Sequence, residues 1–109
     1  LDQRAHVLGE RLAAGLEGLK RHGVIREVRG KGLLRGVELV RDPDSNEPFP
    51  ELGMALKKTA LANGLLLRVD PSWFAVGPAL IIDEAGVDEL CELVEKSLVD
   101  ALAVVREDR

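Results

Sequence analysis

The sequence predicts an α+β fold: a two-layer sandwich in which a small, mostly antiparallel sheet carries helices mainly on one side, in the order α-β-β-α-β-β-α. Three observations predict it. Apolar residues recur at three- and four-residue steps in three separate segments, the pattern of amphipathic helices. Between those segments stand short apolar runs bounded by glycine and proline, which read as strands. The joint of helix, glycine and apolar strand occurs twice, at His22-Gly23-Val24 and Asn63-Gly64-Leu65.

Each element has its own local reason. From Asp2 to His22, Ala5, Leu8, Leu12, Leu16 and Leu19 form one stripe, and Gly23 ends the helix. Gly9, Gly15 and Gly18 lie inside it and each weakens it by up to ~1 kcal/mol relative to Ala, so this helix depends on docking. Val24–Gly30 and Leu33–Val40 are expected as strands meeting at a bend over Gly30-Lys31-Gly32. In the second of them Leu33, Val37 and Leu39 share one face with Arg35, and Leu34 and Val40 share the other with Gly36 and Glu38. Both faces are partly apolar, as in a strand near the sheet centre. The turn-rich stretch Arg41–Pro50 predicts an exposed loop. A second helix is expected over Glu51–Asn63 with Pro50 at its start, then a buried strand over Leu65–Val69 and, after Asp70-Pro71-Ser72, a strand over Trp73–Ile82 in which Pro78 marks an edge, a bulge or the strand's end. Asp83 can cap a last helix whose stripe runs from Val87 to Val105.

The totals bound the function. With 109 residues the chain has the size of one domain, spanning 1–109. Hydrophobic residues make up 46% and aromatics only 3%, so the core is expected to be Leu, Val and Ala. A net charge of −4 disfavours a nucleic-acid partner, which would need a basic face. No apolar run approaches the ~20 residues that cross a bilayer, so no membrane partner is expected. The lone Cys91 cannot form an internal disulfide and fits a cytoplasmic location. The opening LDQRAHV carries no signal-peptide pattern and is expected to belong to a longer chain.

No catalytic constellation is complete. The GKGLLRG stretch matches neither a dinucleotide fingerprint nor a phosphate loop, and a strand follows it, so a bend is favoured over anion binding. Arg26, Arg29, Lys31 and Arg35 are interspersed with Glu27 and Glu38, the composition of a solvated or ion-paired hairpin face. His6 and His22 lack the clustered partners of a metal site, and Ser45, Ser72 and Ser97 lack a base motif. Cys91 lies on the apolar stripe of the last helix and reads as a buried, inert thiol. Of the five lysines, all but Lys31 fall on polar helix faces. Arg68 stands apart: it interrupts the apolar run LLLRVD, where burial would demand a partner, either an internal carboxylate or the carboxylate of a bound ligand.

Taken together, IREVRGKGLLRGVELV (Ile25–Val40), the proline-rich loop with its following helix, NGLLLR ending at Arg68, and GPALII leading into DEAGVDEL resemble the C-terminal small domain of class III aminotransferases, fold-type I enzymes that use pyridoxal phosphate (PLP). The resemblance spans nearly the whole chain. It implies a homodimeric parent that moves an amino group between an amine or amino acid and a keto acid. It also implies that the catalytic lysine and the cofactor's other ligands lie in a large domain of the same chain, so that no catalytic residue and no bound PLP are expected here. Arg68 matches the arginine that recognises a substrate carboxylate in the omega-transaminase and diaminopelargonate branches, with Pro78 ten residues on. The carboxylate-binding arginine of the ornithine, acetylornithine and 4-aminobutyrate branches would fall at Ala75. Ala79 and the turn Asp70-Pro71-Ser72-Trp73 depart from the family pattern. The rival reading is a free-standing α+β module that binds a small acid or a protein. If the chain is a separated piece, Trp73, Phe74 and Phe49 are the residues expected to be left uncovered.

Overall fold

The computed structural model describes residues 3–76 and 83–107. The first apolar stripe folds as α1, Gln3–Glu17, and tightens into a 3-10 turn over Gly18–His22. Gly23 closes the turn at φ 76°, in the left-handed region that glycine enters freely, and its N–H bonds Lys20 O at 3.0 Å. Strands β1 (Ile25–Lys31) and β2 (Leu34–Leu39) form an antiparallel hairpin with Val28 opposite Val37 and a bulge between Ile25 and Glu27. Helix α2 (Pro50–Ala62) begins at its proline, whose missing N–H has no intrahelical acceptor at that position. Strands β3 (Arg68–Val69) and β4 (Trp73–Val76) follow, then α3 (Glu84–Glu107), capped as expected by Asp83 Oδ1, which accepts from Gly86 N at 2.8 Å.

The sheet order is β1-β2-β4-β3 and every described pairing is antiparallel, which puts β2 in the interior as its two-sided apolar pattern suggests. Leucines of all three helices join Val37, Leu39, Phe74 and Val76 in one core, so the helices cover one sheet face. Between them, α1 and α3 are also tied by charge. Arg11 grips Asp88 with two N–H donors at 2.8 and 2.7 Å, which raises the guanidinium's pKa and holds the Asp88 carboxyl below the usual carboxylate range.

Three expectations need correction. The strand predicted over Leu65–Val69 shrinks to Arg68–Val69: Leu65 N is still bonded to Ala60 O at 2.8 Å, so the chain leaves α2 too late to reach the sheet sooner, and Leu66 is left 84% exposed. Phe49 and Phe74 are core residues, 5% and 1% exposed; among the described residues the most uncovered large apolar side chains are instead Leu66, Leu61, Met54 and Leu34. Phe49 follows the exposed loop and bonds Leu39 O through its backbone, while Phe74 faces Val37 across the sheet. Arg68 is exposed rather than buried. Of the strand expected over Trp73–Ile82, the part beyond Val76, including Pro78 and Ala79, lies outside the described residues.

The glycines inside α1 mark close approaches. A Cβ at Gly9 would stand 2.5 Å from Gly32 O, and one at Gly15 would stand 2.4 Å from Cys91 Sγ. The helix thus trades propensity for contact with the hairpin and with α3. Gly9→Ala should lower stability by ~1–3 kcal/mol despite Ala's better propensity, because backbone must move. Gly18→Ala, which meets only the flexible Arg21 tip, should be neutral or slightly stabilising. Chemical denaturation of the two variants checks this ordering.

His22 Nε2–H donates to Glu95 Oε2 at 2.8 Å, joining the 3-10 turn to α3. Burial first, then the charges of Arg21 and Arg106, lower its pKa from 6.5. The unfolded chain therefore binds this proton more readily, and stability falls as pH drops from 6.5 through the lower folded value. Asp88 and Asp100, held low by Arg11 and by Asn63 with Lys96, act in a separate window below 3.8. Thermal melts between about pH 7 and about pH 5 should show a decline in the wild type that His22→Gln reduces.

Candidate functional site

The face of the sheet away from the helices carries the residues that alternate with the core set. Glu27, Arg29 and Lys31 lie there on β1, Leu34, Gly36 and Glu38 on β2, Trp73 and Ala75 on β4, and Arg68 on β3. One cross-sheet row reads Arg29, Gly36, Ala75, Arg68: two arginines on the outer strands with two small residues between them.

The arginines on and around this face differ in how they are held. Arg26, in the bulge, bonds Glu38 Oε1 at 3.1 Å. Arg35, on the core-facing side of β2, donates to the carbonyls of Gly32 at 2.8 Å, Gly30 at 3.1 Å and Gly9 at 3.4 Å. Its guanidinium thereby occupies the Gly30-Lys31-Gly32 turn, which presents carbonyls to a cation rather than N–H groups to an anion. Arg29 stands 3.5 Å from Glu27 and lies over the Trp73 ring with its guanidinium carbon 4.3 Å from the centroid, a cation–π contact. Trp73 in turn rests against Gly36, where a Cβ would be 3.6 Å from the ring. Arg68 has no side-chain hydrogen bond or ion pair among the described residues. It is an exposed guanidinium on the last strand of the sheet.

The other candidates resolve into structural roles. Ser97 is buried and donates to Leu93 O at 2.7 Å, and Thr59 Oγ1 donates to Ser97 O at 2.7 Å, so these polar groups knit α2 to α3. Ser72 is buried and its carbonyl accepts from Leu39 N at 2.6 Å. Cys91 is half-buried beside Gly15, and burial, followed by the Asp88 charge, raises its thiol pKa, which works against a thiolate nucleophile. His6 faces Glu10 at 3.8 Å and His22 faces Glu95. Among the described residues no three His, Cys, Asp or Glu gather as a metal site, and no helix is long and apolar enough to cross a membrane.

Lys20, Lys31, Lys57, Lys58 and Lys96 are all exposed, and Lys96 donates to Asn63 Oδ1 at 3.0 Å and Asp100 Oδ2 at 3.3 Å. A lysine that forms a Schiff base must shed its proton through desolvation or a neighbouring cation. The chain's own residues therefore do not fit a covalent PLP site. A groove of about 450 Å³ lined by Met54, Leu61, Val69 and Pro71 opens beside β3, but Arg68 is not in its wall. The Arg29–Trp73 contact was not read from the sequence. Strand alternation alone puts Arg29 on the outer face, but its approach to Trp73 depends on β4 pairing with β2, a connection across a whole helix.

Residues 1–98 match the family model described as aminotransferase class-III. The chain is 39% identical over 105 residues to a taurine–pyruvate aminotransferase of Rhodobacter capsulatus, covering 88% of this chain and 23% of that protein. It is 33% identical over 86 residues to a putrescine–pyruvate aminotransferase of Pseudomonas aeruginosa, covering 77% of this chain and 19% of the other. Among solved structures, the omega transaminase from Pseudomonas jessenii in complex with PMP superposes with a TM-score of 0.85 at 31% identity, over 94% of this chain and 23% of that one. An (S)-enantioselective omega-transaminase from Thermomicrobium roseum superposes at 0.83 with 37% identity, over 91% of this chain and 23% of that one. The chain thus spans less than a quarter of the length of these relatives.

Proposed function

The chain belongs to the class-III aminotransferase family, and on that premise we propose that it is the C-terminal small domain of a PLP-dependent transaminase, in which Arg68 binds the carboxylate of the substrate. The parent transfers an amino group between an amine or amino acid and a keto acid. PLP, held by the remainder of the parent, supplies the electron sink for that exchange. A cytoplasmic location and a homodimeric parent belong to the same reading.

One observation carries it. Arg11, Arg21, Arg26, Arg29, Arg35 and Arg41 are each engaged by a carboxylate, a carbonyl or a ring. Of the arginines in the sheet, Arg68 is the one without such a partner among the described residues; Arg106, which also has none, lies on α3 away from this face, so Arg68 is the arginine placed to meet an external anion here. A planar guanidinium can grip a carboxylate through two parallel N–H···O bonds, which fixes both the position and the orientation of the acid. Holding the substrate so that its reacting carbon faces the cofactor-bearing domain lowers the entropic part of the barrier. Closure of this face against that domain would also exclude water. The relatives that pair pyruvate with a donor lacking a carboxylate, the aminosulfonate taurine or the diamine putrescine, fit a site that meets a carboxylate in only one of its two half-reactions.

In the full-length enzyme, Arg68→Ala should raise KM for pyruvate by about tenfold or more, the scale of a lost charge-assisted fork. KM for an amine donor that carries no carboxylate should move far less. Steady-state kinetics with pyruvate varied against putrescine, and the reverse, make the comparison. Equal pyruvate kinetics in mutant and wild type would reject Arg68 as the clamp.

A further inference from the structure

The row Arg29, Gly36, Ala75, Arg68 holds a second cation that the transaminase reading leaves without a role. Neighbouring strands lie ~4.8 Å apart, so Cα of Arg29 is three spacings, roughly 14 Å, from Cα of Arg68. The Arg29 side chain does not stand straight out of the sheet. It leans across β2, where Gly36 offers no side chain, to lie over Trp73 of β4 at 4.3 Å. Its charge is thereby carried to within about two strand spacings, ~10 Å, of β3.

Two features suit it to a ligand. The contact with Trp73 holds the guanidinium in one region of the face, so little side-chain freedom remains to be lost on binding. Its carboxylate neighbour Glu27 is 3.5 Å away and both side chains are about half exposed, so this ion pair is loose and solvated and leaves donors for another acid. The floor between the two arginines is Ala75 and the flat face of the Trp73 ring, which lies against Gly36. Around the row, Arg26, Arg29, Lys31 and Arg68 outnumber Glu27, Glu38 and Asp70 by one, so the face is slightly net positive although the chain is acidic.

We propose that Arg29, held over Trp73, is a second anion-binding residue of this face, so that the enzyme accommodates acids carrying two anionic groups, one on Arg68 and the other on Arg29. The assignment rests on the reading of Arg68 as a carboxylate clamp. A monocarboxylate meets Arg68 alone. A dicarboxylate, or an acid that ends in a sulfonate, spans this floor and meets both.

The test uses the full-length enzyme and two dead-end acids, glutarate with two carboxylates and butyrate with one, as competitive inhibitors against pyruvate. Wild type should bind glutarate more tightly than butyrate. Arg29→Gln should raise the glutarate Ki about tenfold and the butyrate Ki by no more than about twofold, while Arg29→Lys, which keeps the charge without the fork, falls between. Arg26→Gln, on the same face but outside the row and bonded to Glu38, serves as a control that leaves both constants unchanged. Arg68→Ala should raise both; if it raises neither, the clamp itself fails, and this outcome is distinct from a failure at Arg29. A glutarate Ki that is unchanged in Arg29→Gln, or that rises only in parallel with butyrate in both Arg29 variants, overturns the role of Arg29.

Discussion

The register of the β1–β2 hairpin is the constraint on which the rest of this structure depends. A slip of one residue would exchange every side chain between the two faces of the sheet. Val37 and Leu39 would leave the core, and Arg29 and Gly36 would turn into it. Several contacts hold the register at the turn. Gly30 at φ 130° and Gly32 at φ 56° take backbone conformations that other residues resist, and Arg35 closes over their carbonyls. The same guanidinium reaches Gly9 O, and the bare Cα of Gly9 lets α1 settle against Gly32. One basic side chain and three glycines therefore couple the hairpin turn to the first helix.

From that register follows the division of labour between the two faces. The helix-covered face takes the branched apolar residues and excludes water; the other keeps the charged and small residues that alternate with them. On the exposed face most arginines are engaged locally, by Glu38, by Glu27 or by the Trp73 ring, and such exposed contacts contribute little to stability. Their arrangement is therefore better understood as shaping a positive surface than as holding the fold. Stability comes instead from the leucine core and from the few buried or bidentate polar ties among the helices, such as Ser97 with Thr59 and Arg11 with Asp88.

Much of this was legible in the residues themselves. The three helices follow from their apolar stripes, the Asp83 cap from residue type and position, and the central place of β2 from apolar residues on both of its faces. The family was legible from the order of several weak motifs, each uninformative alone. What could not be read were features set by tertiary contact. The glycines of α1 looked like weak points, whereas Gly9 and Gly15 are where neighbouring elements approach most closely. The apolar run before Arg68 looked like a buried strand, but the late exit of the chain from α2 leaves Leu66 in solvent and puts Arg68 on the sheet's rim. Phe49 and Phe74 were expected to be uncovered in a separated piece, but large apolar residue type alone does not say whether a ring turns into the core, as both do. The cation–π contact of Arg29 with Trp73 joins residues 44 positions apart and has no local signal.

The central claim is that the helix-free face presents Arg68 to a substrate acid. A crystal structure of the full-length enzyme with a bound 2-oxo acid tests it most directly. The account predicts the acid's carboxylate oxygens at hydrogen-bonding distance, ~2.7–2.9 Å, from two nitrogens of Arg68 on this face. A carboxylate held elsewhere, with Arg68 turned to solvent or paired with a carboxylate of the protein, would contradict it.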